Sequence, residues 1–216
     1  MKIAAVSLAL LAPFAVCAQT VKLVNPGFEQ PPKGGEILPG WRAHQHAGDP
    51  SYEFAVDNQV FAKGKNAFRI TRLQPQDYGA LDQTLPGRDL IGKEIEFSAL
   101  IQAKDVDKRG FVLCINVIDA SGDIRNQFRS QPRTTGTVDK WTPLSVRAKV
   151  PSGTQRVEVG FLLIGGGTIW ADEATLKIIP AEKPQDAGKA VEKTKGAKPA
   201  KGETAKEAAK NKDEAK

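Results

Sequence analysis

Three stretches of this chain place an apolar residue at every second position, a period that only a strand can bury on one side. Ile95, Phe97, Ala99 and Ile101 alternate with Glu96, Ser98 and Gln102. Leu144, Val146, Ala148 and Val150 alternate with Ser145, Arg147 and Lys149, and Val157, Val159, Phe161 and Leu163 alternate with Glu158 and Gly160. Successive side chains of a strand point to opposite faces, so each stretch has one apolar and one polar face. Turn signals stand between them at Pro86-Gly87, Ala120-Ser121-Gly122-Asp123, Pro151-Ser152-Gly153 and Gly165-Gly166-Gly167. No long segment before Pro180 carries a 3.6-residue apolar period. The pattern predicts an all-β, antiparallel β-sandwich or jelly roll over residues 19–180, long enough to bury a core without staples. Within it, Asp119 to Asp123 is expected to close a hairpin between residues 111–118 and 124–129.

The ends read differently. Residues 1–18 carry one early cation, Lys2, an apolar stretch from Ile3 to Val16, and the closing triplet Val16-Cys17-Ala18. That is the pattern of a signal peptide cleaved before Gln19, and its apolar run is shorter than the roughly 20 residues a helix needs to cross a bilayer. Cys17 offers lipid attachment as an alternative, but the bulky Val16 before it favours plain secretion. The expected address is therefore periplasmic or extracellular, with no transmembrane segment. Once the leader is removed Cys114 has no partner for an internal disulfide, and its place in Phe111-Val112-Leu113-Cys114-Ile115 marks it as a small buried hydrophobe.

Residues 181–216 hold ten Lys and seven acidic residues, no aromatic residue, and Val191 as the one large aliphatic. Such a composition does not bury enough apolar surface to offset its ordering entropy, so a disordered tail is expected. The tail carries +3 of the formal net charge of +6 and Lys2 carries +1, which leaves about +2 on residues 19–180. The domain is nearly neutral, and the basic balance is no footprint for nucleic acid. The tail itself suits an anionic envelope polymer, acidic lipid headgroups or an acidic partner, or acts as a solubilising spacer.

Several short motifs occur in a fixed order: Asn25-Pro26-Gly27-Phe28-Glu29, Gly40-Trp41, Gly64-Lys65-Asn66-Ala67-Phe68-Arg69-Ile70, Gln83, Gly92-Lys93 leading into Ile95, and Ile169-Trp170-Ala171-Asp172-Glu173. Together they resemble the galactose-binding-like jelly rolls, in particular the family 4 and 9 carbohydrate-binding modules, over nearly all of residues 21–179. The resemblance implies a structural calcium held by Glu29 and Asp172 with backbone carbonyls of residues 64–66. Calcium takes six to eight oxygen ligands and accepts carbonyls beside carboxylates, although two carboxylates give such a cage a modest charge. The other role open to the pair is to accept backbone hydrogen bonds where the terminal strands meet.

A sugar ring has an apolar face and a polar rim, so its sites combine aromatic rings with amides and charges. Trp41, Trp141 and Trp170 are assigned to core or strand-edge packing, the usual fate of so large a ring. The candidate ligand-binding row is Gln102, Asn116, Arg125 and Gln127, with Tyr78 and Gln83, on the face opposite the Phe97 and Ile101 core. Arg125 or Arg129 there suits a uronate or phosphate. A plain solvated sheet face is the alternative. His44 and His46 read as an exposed loop pair; a metal site with Asp49 or Glu53 lacks further imidazoles. There is no Gly-x-Ser-x-Gly elbow and no recognisable glycosidase acid motif, and Gly165-Gly166-Gly167 lacks the Lys of a phosphate loop and reads as a hairpin bend. The expectation is a secreted, non-catalytic module that binds a glycan or cell-envelope polymer. A protein-docking or structural role in the envelope is the alternative.

Overall fold

A computed structural model describes residues 18–180. The leader up to Cys17 and the tail from residue 181 lie outside the described residues. The strands are β1 Gln19–Val21, β2 Arg42–Gln45, β3 Tyr52–Asp57, β4 Ala67–Arg72, β5 Gly79–Pro86, β6 Glu94–Ile118, β7 Ile124–Arg129, β8 Thr134–Lys149, β9 Arg156–Leu163 and β10 Thr168–Ile179. All are antiparallel to their neighbours and form two layers. One layer runs β2-β5-β9-β6-β7, using the second half of β6. The other runs β8-β6-β10-β4-β3, using the first half of β6, with β1 beside the end of β10. The fold is an all-β jelly-roll sandwich, and the hairpin between β6 and β7 turns at Asp119 to Asp123 as the alternation predicts.

The long strand β6 serves both layers because it bends between Lys104 and Phe111. Asp105 and Gly110 have positive φ of 53° and 79° there. Asp107 fixes the bend, since its Oδ1 accepts the Arg109 N–H at 2.8 Å and its Oδ2 accepts the Gly166 N–H at 2.7 Å. Gly165 has to be glycine, because a Cβ there would stand 2.2 Å from Asp107 Oδ1. The glycine run therefore joins β9 in one layer to β10 in the other, a crossing rather than the expected hairpin bend.

The core lies between the layers and centres on Phe161. Its ring is 5.5 Å from Phe97 and from Trp41, 5.7 Å from Phe68, 6.1 Å from Phe28 and 6.5 Å from Phe111. Each fully buried large side chain contributes about 1.5–3 kcal/mol relative to exposure. The opening motif belongs to this core: Phe28 and Trp41 pack 5.5 Å apart, and the Trp41 indole donates to the Asn25 carbonyl at 3.1 Å. Phe28 of Asn-x-Gly-Phe-Glu and Trp41 of Gly-Trp are thus packing devices of the fold.

Candidate functional site

Period two gives each layer an outward face as well as a core face. In the β2-β5-β9-β6-β7 layer the core takes Leu81 and Leu85, Phe111, Leu113 and Ile115, and Val157, Val159 and Phe161. The intervening residues face out, and in the middle of that face Ala80, Val112, Cys114 and Leu162 form a small separate apolar cluster, with Tyr78 and Ile164 against it. Ala80, Cys114 and Leu162 of this cluster floor a cleft of about 210 Å³, with Val112 buried beneath them and Ile124 at its edge. Burial pushes the Cys114 thiol far up, so it stays protonated and apolar.

Polar groups surround the floor. On one side Asp82 Oδ2 lies 2.5 Å from His44 Nε2, and the Asp82 side chain is only 5% exposed. Asp82 reaches this depth because it lies over Gly160, where a Cβ would stand 2.1 Å from its Oδ1. The Arg42 guanidinium approaches Asp82 at 4.0 Å and Glu158 at 3.8 Å, and Thr84 donates to Glu158 at 3.4 Å. On the other side Gln127 donates to the Asn116 side-chain carbonyl at 2.9 Å. Arg129, opposite Cys114 in the ladder, lines the cleft and has no ion pair among the described residues. Tyr78 walls the cleft, edge-on to His44 at 6.2 Å and to His46 at 5.7 Å. An apolar floor, an aromatic wall and paired amides and charges can accept one apolar surface while satisfying several hydroxyls.

Of the six residues in the candidate row, three line this cleft: Tyr78, Asn116 and Gln127. The other three do not. Gln83 shares the core-facing side of β5 with Leu81 and Leu85, is 5% exposed, and ties down Val24, three residues beyond β1, accepting its N–H at 2.7 Å and donating to its carbonyl at 2.9 Å. Gln102 sits in the first half of β6, hence in the other layer, and donates to the Asp139 carbonyl at 2.7 Å. Arg125 falls at a register shift of the β6-β7 hairpin, which turns it away to pair with Asp119. Asp119 is held well below the usual carboxylate range, first by the Ser121 hydroxyl and also by Arg125.

Sequence reasoning did not place Arg42, Asp82 or Glu158 in a ligand site, and it read His44 as one of an exposed loop pair. His44 is not a loop residue but part of β2, with Asp82 as its partner. Asp82 and Glu158 were within reach of the alternation, since each lies between two core positions of its strand. Arg129 was noted only as an anion partner.

Glu29 and Asp172 do come close, since a Cβ on Gly27 would stand 3.8 Å from a side-chain atom of each. Glu29 Oε1 accepts the N–H groups of Lys65 and Asn66 at 2.8 and 3.1 Å, and Oε2 accepts the Asn66 amide at 3.1 Å. Asp172, fully buried, accepts from Ala62 and Lys63 at 2.9 and 3.0 Å on Oδ2, and from Glu173 at 2.7 Å on Oδ1. The resemblance implies carbonyls turned toward an ion; residues 65 and 66 turn N–H groups toward Glu29. Among the described residues no group of three or more His, Cys, Asp or Glu is placed to hold a metal. As it stands, this donor set fits calcium poorly and serves to bind backbone N–H groups.

No family model and no curated sequence matches the chain. Solved structures do. The tandem CBM22-1-CBM22-2 domain of Paenibacillus barcinonensis Xyn10C matches with TM-score 0.54 and 17% identity, over 82% of this chain and 51% of that one. The CBM22-1 xylan-binding domain of the same protein matches with TM-score 0.51 and 16% identity, over 72% of this chain and 92% of that one. The enzymatically active domain of bacteriophage CBA120 tailspike protein 4 matches with TM-score 0.53 and 15% identity, over 73% of this chain but 21% of that one. The chain spans about a fifth of the tailspike and half of the tandem. It has the β-sandwich fold of carbohydrate-binding modules, and among the described residues no helix is long and apolar enough to cross a membrane.

Proposed function

We propose that the domain is a non-catalytic module that binds a glycan chain in the cleft between Tyr78 and Arg129. The observation that carries this reading is the apolar floor of Ala80, Cys114 and Leu162, set on an outward sheet face and flanked by polar side chains. A sugar ring would lay its apolar face on that floor and offer its hydroxyls to Asn116, Gln127, Glu158 and the His44-Asp82 pair. The acids already face His44 and Arg42, so Arg129 is the cation left to receive a uronate substituent. The fold's likeness to xylan-binding domains makes xylan and glucuronoxylan the first ligands to try. The leader composition supports secretion to the periplasm or beyond, where such polymers are met.

Native gels cast with soluble polysaccharides test the reading. Retardation by at least one polysaccharide, lost in Tyr78→Ala with an unchanged melting temperature, is the expected result. Equal retardation of wild type and Tyr78→Ala would overturn the assignment of the cleft.

A further inference from the structure

The outward face of the opposite layer carries an aromatic ring that the fold does not use for its core. Trp170 lies in β10, directly between Arg69 of β4 and Gln102 of β6 in the ladder. It belongs to neither apolar cluster of the domain. Its indole N–H donates to Asp57 Oδ2 at 2.8 Å, which fixes the ring on the sheet. Arg69 is held on that side by Glu53 at 2.9 Å and by Asp57 at 3.5 Å. On the β4 side Asp57, Arg69 and Glu53 are therefore already engaged with one another and with the indole.

The β6 side is different. There Trp170 borders a depression of about 470 Å³ with Gln102, Lys104, Thr137 and Asp139. Gln102 donates its amide N–H to the Asp139 carbonyl at 2.7 Å, which orients its Oε1 as an acceptor with no donor among the described residues. Lys104 makes no ion pair among the described residues. A half-buried ring whose edge is fixed by hydrogen bonding, next to an oriented amide and an unpaired ammonium, is preorganised to receive a ligand with an apolar face and several hydroxyls.

We propose that this face is a second carbohydrate-binding platform centred on Trp170, on the outward side of the layer that does not carry the cleft. A sugar ring stacks on the indole, Gln102 Oε1 accepts one of its hydroxyls, and Lys104 donates to another or to a carboxylate substituent. The domain then presents two sites on opposite outward faces, which lets one molecule bridge two chains or bind one surface with raised avidity. The platform stands on its own geometry and does not depend on the cleft binding sugar.

The test is a titration of the isotopically labelled full-length protein with xylohexaose, cellohexaose and a galacturonan hexamer, followed by nuclear magnetic resonance up to about 10 mM, where a millimolar site is mostly filled. The Trp170 indole signal is identified by its absence in Trp170→Phe. The expected result is that the Trp170 indole and Gln102 amide signals shift together with at least one sugar. Gln102→Ala should weaken that response about tenfold while the Asn116 and Gln127 amides respond as before. Movement of the Asn116 and Gln127 signals with the Trp170 and Gln102 signals fixed would overturn the platform and leave the cleft. Movement of Trp170 and Gln102 alone would support the platform and count against the cleft. No movement of either set with any of the three sugars would overturn both.

Discussion

Asp82 occupies the space that a side chain at Gly160 would fill: Oδ1 stands 2.1 Å from the position of a Cβ there. The two residues are opposite each other in the β5-β9 ladder, so the smallest residue of β9 creates the seat for the most deeply set acid of the cleft. Gly160→Ala is expected to lift Asp82 off the sheet, separate it from His44, and lower stability by about 1–3 kcal/mol through overpacking. Urea unfolding measures the loss, and glycan binding should fall with it. An alanine variant as stable as wild type and equally able to bind would show that Asp82 has no need of that seat.

Gln83 is expected to matter for stability and to be silent in binding. Both of its side-chain bonds go to the Val24 backbone. Gln83→Ala leaves that N–H and carbonyl without partners, at about 1–3 kcal/mol for each group left unsatisfied. Chemical denaturation should show the drop while retardation in polysaccharide gels stays at the wild-type level.

Glu29 and Asp172 are expected to stabilise the domain without an ion. Asp172→Ala strips acceptors from three N–H groups, those of Ala62, Lys63 and Glu173, and should lower stability by about 1–3 kcal/mol for each one that water does not reach. The same loss is expected in calcium and in chelator. A wild-type melting temperature that rises with calcium, by a step that Asp172→Ala abolishes, would restore the ion that the family resemblance implies.

The acid side of the stability profile should depend on Asp57. Burial works to raise its carboxyl, but hydrogen bonds from the Trp170 indole and from the Gln59 and Val60 amides, with Arg69 nearby, outweigh it and hold the group below its ordinary value. Because the folded value lies below the unfolded one, Asp57 contributes stability that is fully present above the ordinary carboxylate value and is lost as pH falls through the folded one. Asp172 runs the other way: burial raises it, so stability falls as pH climbs from the ordinary value toward the raised one. Melting curves of Asp57→Asn and wild type should therefore converge as the solution is acidified. A gap that stays constant down to low pH would contradict the assignment.

The strands were legible because each needs only its own residues: one apolar face, one polar face and a turn. The layers were not, because strand membership is decided by partners far along the chain. Gln102 shows this plainly. Its alternation puts it on an outward face, as expected, but β6 bends at Asp105 to Gly110 and carries Gln102 into one layer and Asn116 into the other. Arg125 is displaced by a single register shift that no periodicity reveals. Gln83 was readable and misread, since Leu81 and Leu85 on either side already consigned it to the core. The cleft's charged half was hidden for a further reason: His44 gains its role only from Asp82, a partner on the neighbouring strand.

The central claim is that the Tyr78-to-Arg129 cleft binds a glycan. Isothermal titration of the full chain with the polysaccharide that retards it most, for wild type and for a Gln127→Ala/Arg129→Ala double variant, tests it most directly. Both side chains are exposed, so the variant should stay folded, with a small drop in melting temperature from the lost Gln127 bond to Asn116. The prediction is measurable heat of binding for wild type and a loss of at least tenfold in affinity for the variant. Equal affinity in the two proteins would contradict it.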